Sequence, residues 1–499
     1  MNNILSLLDS YKISHVHQYP EGTEMVYSNW TIRGSRYPVN YYIFFGLQYY
    51  VKEYLIKRWK EEFFDLPKEE ALARFRKTLK NSLNVTDLKH YEELHDLGYL
   101  PIEIKALPEG SKVDLRVPCF TLRNTNPKFY WITNMLETVT SCVIWGMINN
   151  ATVASMYAGV RRKYLAITDS VNHPMEPFLN HNFAYRGMMG NEAAITTDAA
   201  WLLFSKGSDT IPGIEFMEDY YGADSNKELI SASIPATEHS VACAGGKDNE
   251  ADTYRRMIDL YKDSSKIFSF VSDSWDYWHF LNVTVRENKQ YLLDSGCKCV
   301  FRPDSSPKTP LEIICGDPEA PAGTPENLGS LEVLWDIFGG SLNEKGYKVL
   351  HPQVGLIYGE AISVELYEKI CEKMVSMGFS VTNLVVGVGS FSQTFCTRDN
   401  LKQAFKATAV TINGELREIF KDPKTDTSGK KSAKGLLQVQ EVLKEVDSSG
   451  KLAHSHYVLK DQCTWEEEGQ GALKTIFKDG ELVNEVDLQT VRNRINKLV

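Results

Sequence analysis

Short apolar runs, each ending in glycine or polar residues, recur along the chain between about residues 180 and 395. Runs of this length with many β-branched residues predict buried strands, and helical periodicity follows several of them. The predicted strands cover residues 230–234, 266–271, 298–301, 355–358 and 384–386, and the predicted helices cover residues 250–261, 328–338 and 363–377.

Residues capable of chemistry follow the ends of these predicted strands. His239, Asp273, Asp304, Glu360 and Ser390 each come shortly after an apolar run. Parallel α/β barrels carry their active sites at the carboxyl ends of their strands, so the pattern favours a barrel. An open doubly wound sheet fits the same pattern and stays open as an alternative.

The two ends of the chain have a different texture. Residues 1–150 mix helical and strand patterns, and residues 396–499 alternate short strands with turns. We predict that both ends build one β-rich α+β domain beside a catalytic barrel of residues 151–395. Within the barrel, the proline-rich residues 303–325 predict a long loop at its mouth. Residues 138–160 carry no charge but many Ser, Thr and Asn side chains, which predicts a buried helix pair and no membrane span.

Composition narrows the class of protein. The 499 residues are 43% apolar and 24% charged, values of a globular protein with a large core. The net charge of −10 argues against a dedicated nucleic-acid binder, which normally shows a basic face. Nine cysteines without framework spacing, and an amino-terminal sequence without signal-peptide character, indicate reduced thiols and a cytoplasmic location.

Cations and carboxylates accumulate at the predicted strand ends. Such a mixture suits a phosphorylated, metal-chelating substrate, because Arg matches phosphate oxygens and carboxylates hold Mg²⁺. The turn at residues 387–390 could bring backbone N–H groups to a phosphate, or could be a plain strand-to-helix turn. Asp273 could equally cap a helix, and Arg398 could pair with Asp399 on a surface. Residue chemistry alone therefore indicates a phosphate-handling α/β enzyme.

Specific strings, in order along almost the whole chain, carry a resemblance to a known family. The sequence resembles the nicotinamide phosphoribosyltransferases, which join nicotinamide to phosphoribosyl pyrophosphate (PRPP). The matching strings are Asp9-Ser-Tyr-Lys, Phe45-Gly-Leu-Gln-Tyr, Leu100-Pro-Ile-Glu-Ile-Lys-Ala, Tyr185-Arg-Gly, Lys206-Gly-Ser-Asp-Thr, Pro235-Ala-Thr-Glu-His-Ser, Val271-Ser-Asp-Ser, Arg302-Pro-Asp-Ser, Thr397-Arg-Asp and Phe420-Lys-Asp-Pro.

The resemblance implies a type II phosphoribosyltransferase fold, an irregular parallel α/β barrel plus a β-rich domain built from both chain ends. It also implies transfer of phosphoribosyl from PRPP to the ring nitrogen of nicotinamide in NAD salvage. The products are nicotinamide mononucleotide and pyrophosphate. A homodimer with shared active sites, and no nucleic-acid or membrane partner, complete this expectation.

Site residues follow from the same resemblance. Phe183 and the partner subunit's Tyr11 are expected to stack on the pyridine ring, with Asp209 accepting a hydrogen bond from the carboxamide and Arg302 nearby. Asp209 could also be the N-cap of a helix starting at residue 210. The expected pyrophosphate contacts are Arg186, His239, Arg302, Arg398 and Lys406, and the expected ribose-phosphate contacts are Asp304, Gly359, Glu360, Gly389, Ser390 and Arg398.

His239, Asp304 and Arg302 are the expected catalytic residues. The resemblance implies Mg²⁺ as a cofactor, held by Asp273 and Asp304, and ATP as an optional co-substrate that phosphorylates His239. Three positions depart from the family pattern: Ser306, Glu360 and Ala361 stand where glycine, aspartate and a glycine or serine are common.

Two rival functions remain. A nicotinate phosphoribosyltransferase would share the fold, but its acidic substrate should not face the Asp209 carboxylate. A non-catalytic homologue with a decayed ribose-phosphate site is suggested by the three departures, whereas the complete set of cations argues against it.

Overall fold

The structure is a computed structural model that describes residues 3–306, 309–421, 433–443 and 455–496. The chain divides into two compact units. One unit contains the described residues up to Thr152, the segment Met217–Ala223 and the described residues from Cys396 onward. The other contains Val153–Phe216 and Asp224–Phe395.

The second unit is built on a six-stranded parallel sheet. Single bridges from Ala232 to Gly207 and from Ala236 to Ser269 join its two edges, so the strands form an irregular barrel in chain order. This confirms the predicted fold class. The strands are Asn180–Asn182, Gly207–Ser208, Ile267–Val271, Lys298–Arg302, Val354–Tyr358 and Leu384–Val388.

Amphipathic helices alternate with these strands. In Val364–Ser376, Tyr367, Ile370, Cys371 and Met374 are buried, which is the spacing of one helix face. The Ser363 hydroxyl caps this helix by accepting a hydrogen bond from Leu366 N at 3.1 Å. Further helices of the unit are Asn191–Trp201, Glu250–Tyr261, Lys289–Ser295, Pro310–Cys315 and Pro325–Phe338.

Two predicted elements of this unit differ from the structure. Residues 230–234 form one isolated bridge, at Ala232, in place of a strand, and the adjacent Pro235 has no N–H to extend a ladder. Residues 303–325 contain the helix Pro310–Cys315, which starts with a capping box between Thr309 and Glu312. Pro307 and Lys308, and the last two residues of the motif beginning at Phe420, lie outside the described residues.

The uncharged stretch at residues 138–160 belongs to one continuous helix, Glu137–Thr168, and not to a helix pair. Two of its buried polar side chains, Thr140 and Thr152, donate back to carbonyls of the preceding turn, at 2.7 Å in both cases. No helix in the described part of the chain combines the length and apolar character needed to cross a bilayer.

The first unit contains a seven-stranded antiparallel sheet drawn from both chain ends. Its long central strand pairs on one side with a C-terminal strand and on the other with an N-terminal strand. The strands, in sheet order, are Glu415–Glu418, Gln403–Ile412, Thr23–Ile32, Pro118–Asn124, Ile102–Ala106, Lys474–Lys478 and Glu481–Leu482. The predicted composite β-rich architecture is therefore confirmed.

Candidate active site

A cavity of about 710 Å³ lies at the carboxyl ends of the barrel strands. Its walls contain eight of the predicted site residues, which lie at the ends of strands or shortly after them. The lining residues are Phe183, Tyr185, Arg186, Gly187, Met188, Gly190, Asn191, Asp209, Thr210, Arg302, Asp304, Gly359, Gly389 and Ser390.

Phe183 supplies an aromatic wall of this cavity. It follows the strand Asn180–Asn182, and its N–H donates to Val388 O at 2.9 Å. A β-carbon at Gly387 would lie 2.1 Å from the Phe183 ring, and one at Gly359 would lie 2.9 Å away. Only glycine at these positions leaves room for the ring, so the neighbouring strands fix Phe183 as a flat surface for a planar ligand.

Asp209 supplies a carboxylate in the same cavity. His181 Nε2 lies 2.9 Å from its Oδ1, and the Ser233 hydroxyl donates to the same oxygen. Partial burial favours a higher pKa for Asp209, but the hydrogen bonds from His181 and Ser233 and the charge of Arg302 outweigh it and lower the pKa. Asp209 is thus an ionised acceptor at neutral pH. Its alternative role as an N-cap is wrong, because the helix begins at Pro212.

Arg302 ends the strand Lys298–Arg302 and lines the cavity. Its Nη2 donates to Thr237 O at 2.9 Å, which fixes the guanidinium against the segment that closes the barrel. The remaining donors of the planar fork are suited to oxygen atoms of an anionic ligand.

His239 begins the short helix His239–Cys243 and forms a pair with Asp273. His239 Nε2 lies 3.0 Å from Asp273 Oδ1, and the Ser305 hydroxyl donates to the other Asp273 oxygen. Since a carboxylate only accepts, Nε2 carries the proton and Nδ1 keeps its lone pair. The His239 side chain is 46% exposed and that of Asp273 only 6%, so the buried acid orients an accessible imidazole.

The structure assigns Asp273 this contact with His239, while its predicted role toward Mg²⁺ stays a prediction. Among the described residues, no group of three or more His, Cys, Asp and Glu side chains is arranged to hold a metal. Asp304 is exposed and lines the cavity, so it fits an ion that arrives bound to substrate oxygens.

Four of the predicted ribose-phosphate residues line the cavity: Asp304, Gly359, Gly389 and Ser390. A β-carbon at Gly187 would lie 2.1 Å from Ser390 Oγ, so glycine permits the Arg186 turn to approach the turn at Ser390. Glu360 follows the lining residue Gly359 and accepts a hydrogen bond from the Tyr358 hydroxyl at 3.2 Å. Ala361 has a φ of 52°, a left-handed conformation that favours glycine.

A second set of predicted residues lies on the first unit. Tyr11, 59% exposed, and Arg398 line a cavity of about 450 Å³ together with Asp9, whose carboxylate accepts a hydrogen bond from Thr138 at 2.7 Å. Lys406 is the remaining predicted member of this unit. Desolvation lowers the pKa of Lys406, and Glu137 opposes this shift. Three nearby cations also lower the pKa: Arg33, Lys421 and Arg398. These basic side chains suit a phosphate.

Sequence reasoning missed several residues of both sets. His181 and Ser233 hold Asp209, and Arg33 belongs to the cluster around Lys406. His181 stands two residues before Phe183, on the short strand that Phe183 follows, and this position was its only signal. Ser233 and Arg33 carried none, because their contacts join segments far apart in the chain.

The barrel, the composite sheet and the charged cavity define a type II phosphoribosyltransferase. Comparisons with known proteins agree. A model of the nicotinate phosphoribosyltransferase (NAPRTase) family matches residues 178–480, and a model of the nicotinamide phosphoribosyltransferase N-terminal domain matches residues 3–104.

Relatives and solved structures extend the comparison over almost the whole chain. A nicotinamide phosphoribosyltransferase of Acinetobacter baylyi is 40% identical, covering 99% of this chain and 97% of the relative. Another, of Xanthomonas campestris pv. campestris, is 30% identical, covering 99% and 98%. The chain belongs to the family of nicotinate and nicotinamide phosphoribosyltransferases, which confirms the resemblance in its motifs.

Solved structures share the fold at low sequence identity. The human nicotinic acid phosphoribosyltransferase matches with a TM-score of 0.59 at 14% identity, over 98% of this chain and 94% of that one. The nicotinate-nucleotide pyrophosphorylase of Pyrococcus furiosus matches with a TM-score of 0.56 at 14% identity, over 99% and 95%.

Proposed function

We propose that the protein is a nicotinamide phosphoribosyltransferase of NAD salvage. The observation that carries this proposal is the ionised Asp209 carboxylate in the cavity that contains the Phe183 ring. A carboxylate accepts a hydrogen bond from a carboxamide NH₂ and repels a carboxylate ligand. The relatives named above as nicotinamide phosphoribosyltransferases support the same substrate.

The reaction requires positioning more than acid–base chemistry. The pyridine nitrogen of nicotinamide already carries a lone pair, which forms the new bond to C1 of the ribose. The bond from C1 to the pyrophosphate oxygen breaks, and its electron pair leaves with pyrophosphate. Arg186 and Arg302 stabilise the charge on that leaving group, while Phe183 and Asp209 hold the ring in line.

Mg²⁺ belongs to this proposal as an ion bound to PRPP. It would neutralise part of the pyrophosphate charge, and the exposed carboxylate of Asp304 would face it. Asp304 would also hold the ribose, with Gly359, Glu360, Gly389 and Ser390 around the ribose and its 5′-phosphate.

A transfer assay tests the proposed function. The purified protein is incubated with PRPP and Mg²⁺, together with nicotinamide in one sample and nicotinate in another, and the mononucleotide is quantified by chromatography. We expect nicotinamide mononucleotide and stoichiometric pyrophosphate. Efficient use of nicotinate alone would transfer the assignment to the acid-specific enzyme, and no product from either base would favour a non-catalytic homologue.

We further propose a homodimer in which the partner subunit's Tyr11 completes each pyridine site. The exposed Tyr11 ring and the half-buried Phe183 ring offer two aromatic faces for one planar ligand. Because Tyr11 and Arg398 line the same cavity, the subunit that supplies Tyr11 also supplies Arg398. Lys406 belongs to the same basic cluster as Arg398, so the same subunit supplies Lys406 as well.

Mixing two inactive variants tests the shared site. Tyr11→Ala and Asp209→Ala each damage a different half of every site, so each homodimer should lose most of its activity. Subunit exchange should then form heterodimers with one intact site, and activity should recover to about a quarter of the wild-type value, since random pairing makes half of the dimers mixed with one good site of two. Mixing a variant with itself is the control, and no recovery after proven exchange contradicts the shared site.

ATP is proposed as an optional co-substrate acting on His239. The lone pair on Nδ1 would attack the γ-phosphorus of ATP, the bond to the bridging oxygen would break, and ADP would leave with that electron pair. Asp273 supports this role, because it accepts from Nε2 and stabilises the positive charge that develops on the ring.

Incubation with ATP and Mg²⁺ should therefore add one acid-labile phosphoryl group, visible by intact-mass spectrometry. His239→Ala should abolish the added mass, and Asp273→Asn should slow its appearance by about tenfold, because a neutral amide stabilises the positive ring less than a carboxylate does. His351→Ala is the matched control and should label normally. Labelling of His239→Ala at the wild-type rate would contradict the assignment.

We propose a cytoplasmic location because the cysteines do not form disulfides. All nine cysteines are thiols in the structure, and such thiols persist in a reducing compartment.

A further inference from the structure

A fully buried carboxylate lies behind the pyridine site and takes no part in the chemistry above. Asp198, on the helix Asn191–Trp201, has no exposed surface. Its Oδ1 accepts hydrogen bonds from Asn182 Nδ2 at 2.6 Å and from Ser208 Oγ at 2.5 Å. Asn182 and Ser208 end two neighbouring parallel strands of the barrel. One oxygen atom thus joins the carboxyl ends of both strands.

Each of these two residues also closes a turn around a ligand-facing residue. Asn182 Oδ1 accepts from Ala184 N at 3.0 Å, which brackets Phe183. Ser208 Oγ accepts from Thr210 N at 3.0 Å, which brackets Asp209. Side chains that accept from the N–H two residues ahead fix the backbone between them. The turns that present the stacking ring and the amide-reading carboxylate are therefore built in the same way.

Asp198 determines how both turns are oriented. Because Asp198 Oδ1 accepts both hydrogen bonds, the Asn182 amide points its NH₂ toward Asp198 and its oxygen toward Ala184 N. The Ser208 hydroxyl must likewise donate to Asp198 and use a lone pair for Thr210 N. Without Asp198, both donors would lose their buried acceptor and each turn could rearrange separately.

The site accommodates this acid at a cost. Asp198 Oδ2 has no hydrogen-bond partner among the described residues, and a β-carbon at Gly213 would lie only 1.9 Å from it. Burial raises the pKa of Asp198 to about 7, and the charge of Asp209 also raises it. The hydrogen bonds from Ser208 and Asn182 lower the pKa but do not offset the effect of burial. If this position served only to pack the core, an apolar side chain would fill it without the cost of burying an acid with an unpaired oxygen.

We propose that Asp198 is a positioning residue for base recognition, which holds Phe183 and Asp209 at one fixed spacing through Asn182 and Ser208. The role rests on the proposed function, since it concerns the nicotinamide half of the site. Asp198 touches no substrate, and its effect on catalysis passes entirely through the two turns.

Steady-state kinetics separate this role from a purely structural one. Asp198→Ala should raise KM for nicotinamide about tenfold and leave KM for PRPP within about twofold, because only the pyridine half loses its geometry. Asp198→Asn should restore KM for nicotinamide to within about threefold, since its amide oxygen can accept both hydrogen bonds. Ser330→Ala, which removes another buried and hydrogen-bonded side chain of the same unit, should change neither KM.

Two kinetic outcomes would overturn the proposal. In the first, Asp198→Ala lowers kcat through loss of active protein while both KM values stay unchanged. In the second, Asp198→Asn is as impaired as Asp198→Ala although both variants are folded by circular dichroism.

Hydrogen exchange tests the same idea without any substrate. In the ligand-free protein, peptides containing the N–H groups of Ala184 and Thr210 should exchange at least about fivefold faster in Asp198→Ala than in wild type, while a peptide from the strand Val354–Tyr358 should not change. Unchanged exchange at Ala184 and Thr210 would overturn the proposal. If the wild-type protein made no mononucleotide, the proposed function would fail, yet this exchange result would still decide the structural role of Asp198.

Discussion

Replacing Asp209 with serine is expected to lower the preference for nicotinamide over nicotinate by at least about a hundredfold. In the proposed function the carboxylate accepts a hydrogen bond from the amide and repels the acid, and like charges in a partly desolvated site cost several kcal/mol. Since about 1.4 kcal/mol corresponds to a factor of ten, a loss of about 3 kcal/mol accounts for the expected change. The measurement is the ratio of kcat/KM for the two bases in wild type and Asp209→Ser.

Asp259→Ser is the matched control for this prediction. Asp259 accepts hydrogen bonds from Lys262 and Tyr291 on the surface of the same unit, and its loss should leave the ratio unchanged. The pH dependence adds a second check. Because the pKa of Asp209 lies below its ordinary value, the carboxylate stays charged and the preference should be constant from about pH 9 to pH 6. It should weaken only when the pH falls through that lowered pKa. An Asp209→Ser enzyme with the wild-type ratio would remove Asp209 from base recognition.

The second large effect is expected from Phe183→Ala, which should raise KM for nicotinamide by about thirtyfold. Aromatic stacking contributes about 0.5–1.5 kcal/mol beyond area burial. The lost apolar contact of the ring adds about 1 kcal/mol on the scale of about 25 cal/mol per Å². Nicotinamide affinity, measured by calorimetry in the absence of PRPP, provides the direct readout.

Two further variants distinguish stacking from general packing. Phe183→Tyr keeps the aromatic face and should retain most of the affinity, whereas Phe183→Leu keeps apolar volume and should lose it. Gly387→Ala introduces a β-carbon 2.1 Å from the ring and should displace it, while Gly159→Ala, with open space around the β-carbon, should bind nicotinamide normally. Full affinity in Phe183→Leu would contradict the stacking role.

Much of the barrel could be predicted because its strands are both buried and followed by polar turns. The runs at 266–271 and 384–386 became the strands Ile267–Val271 and Leu384–Val388 with small changes at their ends. The run at 230–234 has similar apolar character, yet it makes only one bridge, since strand pairing depends on neighbours that periodicity does not show. The helix Pro310–Cys315 was missed because frequent prolines concealed its capping box.

The candidate site could be predicted only in part, for a related reason. Residues with their own chemistry, such as Arg302 and His239, stand out in a linear sequence. The residues that orient them do not, because Asp273 reaches His239, and Ser233 reaches Asp209, only after distant segments become neighbours in the barrel. Asp198 is the extreme case, because an aspartate in a helical pattern is ordinarily expected to be exposed to solvent.

The structure also relates the departures from the family pattern to one another. The Tyr358 hydroxyl donates to Glu360, and Ser306 contacts the same hydroxyl. Burial raises the pKa of Tyr358, so this hydroxyl remains a donor at physiological pH. Glu360, one methylene longer than aspartate, is therefore held beside the cavity-lining Gly359 by a neutral donor, which argues for an adapted site over a decayed one.

The most direct test of the central claim is a competition assay. Equal concentrations of nicotinamide and nicotinate are given to the wild-type protein with limiting PRPP and Mg²⁺, and the two mononucleotides are separated and quantified at low conversion. Their ratio equals the ratio of kcat/KM for the two bases. An excess of nicotinamide mononucleotide of at least about a hundredfold is the expected result, from the several kcal/mol that a carboxylate imposes on an acidic ligand. Equal amounts, or an excess of the nicotinate product, would contradict the account.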